Sequence, residues 1–61
     1  MKITIYYDRL FDDGSLIDRD IILALHDKWD ISIIPDVIAK LYKSMDNQGI
    51  SIKIQIIKIE R

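Results

Sequence analysis

Sixty-one residues carrying a net charge of -1, 49% hydrophobic and 31% charged, describe one small folded domain and exclude a disordered chain. With no cysteine and a single histidine, disulfides and a zinc centre are ruled out as the usual supports of so short a chain, and self-association is left. No run approaches the ~18 apolar residues of a membrane span, and the opening residues lack a signal-peptide core, so a soluble, cytoplasmic protein with no membrane contact is expected.

From Lys2 to Asp8 apolar and polar residues alternate, with Ile3, Ile5 and Tyr7 on one face and Lys2, Thr4, Tyr6 and Asp8 on the other. This is the pattern of a strand covered on one side. Asp12-Asp13-Gly14-Ser15 is a turn signal, since glycine tolerates positive φ and aspartate bonds its own backbone. Leu10, Phe11, Leu16 and Ile17 flank it, which pins the loop to the core and leaves room for a short hairpin.

Asp18 suits an N-cap and Asp20 the positive end of a helix dipole. Ile21, Ile22, Leu25 and Trp29 then recur at helical spacing, so a first helix is expected to end near Asp30. Ile31 to Ile34 fits a link, a turn between helices or a third short strand. Pro35 favours the first turn of a second helix, whose buried stripe is Ile34, Ile38, Leu41 and Met45, with Val37 and Tyr42 beside it. Gly49 is placed to cap its end.

In the last twelve residues Ile50, Ile52, Ile54 and Ile56 share one face, and then the phase slips so that Ile57 and Ile59 fall on the other. Either a β-bulge re-aims the strand near Ile56 and Ile57, or its end is covered on both sides. The fold expected is α+β in β-α-α-β order, a two- or three-stranded sheet with two helices on one face. So small a sheet exposes strand edges, and extension by dimerisation is expected through Ile54, Ile56, Ile57 and Ile59.

No motif fixes a chemistry. His26 has neither a second histidine nor a cysteine as co-ligand, and reads as a boundary residue. Aligning Gly14 on the glycine of a calcium-binding loop places Arg9 and Phe11 at ligand positions, so that pattern fails. The serines lack a nucleophile elbow, and two glycines make no phosphate cradle. An enzyme, a cofactor and a metal are therefore not expected.

Charge is unevenly spread. Asp8 to Asp36 holds eight aspartates against Arg9, Arg19 and Lys28, whereas Val37 to Arg61 is basic. The acidic surface of Asp8, Asp12, Asp13, Asp18 and Asp20, with Tyr6 as an exposed anchor, is the expected site for a protein partner. Small size, a coding bias toward Ile, Lys, Asp and Tyr, and the lack of chemistry suit a non-enzymatic inhibitor or adaptor, such as a phage protein directed at a host or defence protein.

The strand Lys2 to Asp8 followed by segments Asp18 to Trp29 and Pro35 to Met45 resembles in outline the ribbon-helix-helix repressors. That resemblance implies a dimer pairing its first strands and reading DNA with Lys2, Thr4, Tyr6 and Asp8. A small transcriptional regulator of this type, or of helix-turn-helix type, is thus the alternative. The acidic middle of the chain opposes it, because phosphate contacts supply most non-specific affinity.

Overall fold

The computed structural model describes every residue from Met1 to Arg61. Strand β1 (Lys2–Leu10) and strand β2 (Leu16–Leu25) form a hairpin, a single 3-10 turn covers Ile31–Ile33, helix α1 spans Ile34–Asn47, and strand β3 (Ser51–Glu60) returns. The three strands make one antiparallel sheet in the order β2-β1-β3, so the first strand lies in the middle.

The fold is α+β, but it holds one helix and not two. The segment expected as the first helix is β2. Ile21, Ile22, Leu25 and Trp29 fit a helical stripe by position, and Leu23, Ala24 and Leu25 are good helix formers, so local propensity does not oppose the helix. The turn signal decides the outcome. Phe11 N–H donates to Ser15 O at 2.8 Å, Gly14 N–H to Phe11 O at 2.9 Å, and Gly14 takes φ +85°, the geometry of a three-residue hairpin loop with a left-handed glycine. Asp13 accepts from Ser15 N–H and Oγ–H and locks the tip. Pairing with β2 also gives β1 a second neighbour, which a lone β1–β3 pair would lack.

Two smaller expectations change with it. Phe11 and Leu16 flank the hairpin loop exposed, so the loop is not pinned to the core, and Trp29 stands half exposed in the connection after β2 with the Arg61 guanidinium 5.2 Å from its ring. Ile31–Ile33 is neither strand nor plain link. Asp30 caps this 3-10 turn by accepting from Ser32 N–H and Oγ–H. With one helix and an intramolecular hairpin, the element order of ribbon-helix-helix and helix-turn-helix proteins is absent.

Helix α1 follows its sequence signals. Pro35 sits in the first turn and Asp36 beside it. At the other end Gly49 has φ +72°, Gly49 N–H donates to Asp46 O and Ile50 N–H to Met45 O, the paired bonds of a Schellman cap. Leu41 is buried, and Ile34, Val37, Ile38 and Met45 lie beside it against Ile3, Ile5 and Tyr7 of β1. These three strand residues and Leu41 are the only fully buried ones. The helix backbone runs closer to β3 than to β2.

The phase slip in β3 is absorbed by a bulge. Tyr6 opposes Ile56 but Tyr7 opposes Ile54, so Gln55 is the extra residue. Ile52, Ile54, Ile57 and Ile59 therefore all face the helix side, and Ile56 alone turns to the other face. The four isoleucines expected to form a seam are split by this geometry, three on one face and one on the other.

Candidate functional site: the open face of the sheet

One layer of helix cannot cover both faces of a sheet. The face away from α1 is bare, and the register defines what it shows. Leu25, Leu23 and Ile21 of β2 stand beside Lys2, Thr4 and Tyr6 of β1, which stand beside Glu60, Lys58 and Ile56 of β3. Ile21, Leu23, Leu25 and Ile56 are between 52% and 74% exposed, a contiguous apolar strip uncommon on a lone soluble domain. Tyr6 lies at its centre, with the Lys58 ammonium 5.4 Å from the ring.

Next to this strip the hairpin end of the face is polar. Tyr6, Asp8, Arg19, Ile21 and Gln55, with parts of Tyr7 and Asp20, line a depression of 430 Å³. Asp8 Oδ2 accepts from Gln55 Nε2–H at 2.9 Å, a contact that exists because the bulge brings Gln55 to this face. Asp8 Oδ1 is closed off from solvent and has no hydrogen-bond donor; Arg19 Nε is 3.5 Å away. The Arg19 guanidinium thus faces this oxygen as an ion-pair partner without closing a hydrogen bond.

The six residues of the acidic expectation are not on one surface. Tyr6 and Asp8 share the open face. Asp12 and Asp13 are at the hairpin tip, where the Ser15 hydrogen bonds hold the Asp13 carboxyl below the usual carboxylate value. Asp18 and Asp20 fall on the helix side. There Asp18 takes two bonds of 2.6 Å from the Arg9 guanidinium, which holds its carboxyl low. Asp20 Oδ2 accepts from Tyr7 Oη–H at 3.0 Å while Oδ1 accepts from Ile21 N–H. Ile21, Leu23 and Leu25, the apolar part of the face, were hidden in the sequence by the helical reading of their segment. The clue to them was a short continuous apolar run, Ile21 to Leu25, with a turn signal upstream.

His26 closes the hairpin ladder through its backbone, exchanging hydrogen bonds with Met1, and its Nδ1 accepts from Lys28 N–H at 3.2 Å. No three His, Cys, Asp or Glu side chains converge in a cluster able to hold a metal ion. No helix is long and apolar enough to cross a membrane.

Burial raises the Tyr7 phenol above its ordinary 10.0, with Asp20 adding to the effect. The folded form thus resists ionisation that the unfolded chain undergoes at that pH, so stability present below pH 10.0 is lost as pH climbs through the raised value. In an alkaline spectrophotometric titration, the signal that vanishes in Tyr7→Phe should rise only above pH 10.0, and should move downward in Asp20→Asn. A Tyr7 signal below that pH would show the phenol to be unburied.

No family model matches the chain, and neither a curated protein nor a solved structure matches it.

Proposed function

We propose that this chain is a small non-enzymatic protein-binding module, active as a homodimer, that inhibits or adapts another protein through the open face of its sheet. The observation carrying this reading is the bare strip of Tyr6, Ile21, Leu23 and Ile56 ending at the polar group of Asp8, Arg19 and Gln55. An aromatic anchor within an apolar patch, rimmed by charge, is the composition of contact hot spots. The partner surface it suits offers an apolar side chain to Tyr6 and Ile56 and polar groups to Arg19 and Gln55 beside them. The acids at the hairpin tip, Asp12 and Asp13, extend the rim.

The basic residues of the same face favour nucleic acid as the second reading, since Lys58 covers Tyr6 and Lys2 and Arg19 lie near. Each is offset: Lys2 is 3.6 Å from Glu60 and Arg19 3.5 Å from Asp8. The test is affinity capture on the immobilised protein, with and without nuclease, beside a Tyr6→Ala, Ile56→Lys double variant of unchanged circular dichroism. Capture that survives nuclease and is lost in the variant is the expected result. Capture abolished by nuclease, or indifferent to the variant, would contradict the proposal.

A further inference from the structure

Strand β2 is built like an interior strand but stands at an edge. Ile21-Ile22-Leu23-Ala24-Leu25 is apolar on both faces, the composition of strands covered above and below and paired on both sides. On the open face Ile21, Leu23 and Leu25 are exposed. On the helix side Ile22 and Ala24 form the floor of a 310 Å³ groove with Val37, Leu41 and Met45, because α1 leans toward β3. The opposite edge differs. In β3 the isoleucines are interrupted by Lys53, Gln55 and Lys58 and by a bulge, the usual devices that keep an edge from pairing.

Backbone polarity agrees. His26 exchanges both hydrogen bonds with Met1, so by the antiparallel alternation Ala24, Ile22 and Asp20 also turn their N–H and C=O toward β1. Ile21, Leu23 and Leu25 turn theirs outward. At Ile21 the free donor is taken by Asp20 Oδ1, at 2.8 Å; nothing in the protein takes those of Leu23 and Leu25.

We infer that a second copy of this chain pairs with the first along β2, antiparallel about a two-fold axis at Leu23. Leu23 then meets its own counterpart through outward-turned N–H and C=O, Ile21 meets Leu25 through the Leu25 N–H and the Ile21 C=O, since Asp20 Oδ1 holds the Ile21 N–H, and every side chain in the shared ladder is apolar. On the helix side Ile22 lies opposite Ala24, and the two grooves adjoin across the axis. Just beyond the apolar ladder, Asp20 of one copy comes beside His26 of the other in this register. Shifting the register by two residues toward the hairpin sets Arg19 against Leu25 instead. The product is one sheet in the order β3-β1-β2-β2-β1-β3, a usual size for a globular sheet.

This rests on the reading of the chain as a self-associating module, but not on its capture of a partner. The experiment is sedimentation equilibrium of the purified protein alone at micromolar concentration, so its outcome is separate from that of the capture assay. The wild type should be a dimer. Leu23→Lys, at an exposed position, sets two ammonium groups face to face on the axis and should weaken the dimer by about tenfold or more. Ile56→Lys, on the same face but on β3 at the other side of β1, should leave it unchanged. A monomeric wild type, a dimer insensitive to Leu23→Lys, or one weakened equally by Ile56→Lys would overturn the inference.

Discussion

Replacing Ile5 by alanine should cost about 3 kcal/mol and lower the thermal midpoint by roughly 12–24 °C, the largest effect of any single truncation in this chain. Ile5 is fully buried at the crossing of all three strands, flanked on its face by Ile22 and Ile57 and roofed by the helix around Leu41. A domain of 61 residues holds in total roughly 3–9 kcal/mol at ~0.05–0.15 kcal/mol per residue, so this one cavity takes a third of it or more. Ile31→Ala is the control. Ile31 is 59% exposed, and its truncation should change stability by no more than about 0.5 kcal/mol. Equal melting shifts for the two variants would mean that the helix does not rest on β1.

The second large effect separates two single-residue deletions in β3. Removing Gln55, the bulged residue, leaves Ile54 opposite Tyr7 and Ile56 opposite Tyr6, so every isoleucine keeps its face. The loss is one side-chain hydrogen bond to Asp8, about 1 kcal/mol. Removing Lys53 breaks the alternation instead. Ile52 is drawn to the open face and Ser51 replaces it under the helix, a loss of about 2 kcal/mol of burial before any distortion of the preceding turn. Urea titrations should therefore show a far lower midpoint for the Lys53 deletion. The reverse order would mean that the bulge is not at Gln55.

Much of this fold is legible in the residues. Ile3, Ile5 and Tyr7 alternate into the core as their spacing requires, and Pro35, Asp36 and Gly49 bound the helix where such residues should. The slip between Ile56 and Ile57 left a bulge and cover on both faces as alternatives, and the strand takes the bulge, at Gln55, just upstream of where the isoleucines change phase.

The hairpin strand was not legible, for a physical reason. Ile21, Ile22 and Leu25 fit a helical stripe, while the unbroken apolar run Ile21 to Leu25 shows no period-two alternation to mark a strand, and local charge at Asp18 and Asp20 mimics a helix start. What separates the two readings is long-range: β1 has a free edge for β2 to fill, and Arg9 and Tyr7 wait opposite those aspartates. The site was half visible. Alternation alone puts Tyr6 and Asp8 on the uncovered face, but Leu23 and Leu25 join them only once their segment is extended.

The proposed association depends on the open, apolar edge of β2, and amide hydrogen exchange reads that edge residue by residue. Ile22 and Ala24, bonded to β1, should be protected at every protein concentration, whereas Leu23 and Leu25 should be protected only where the protein is concentrated and lose that protection on dilution. Leu23 and Leu25 amides that exchange freely at all concentrations would contradict the account.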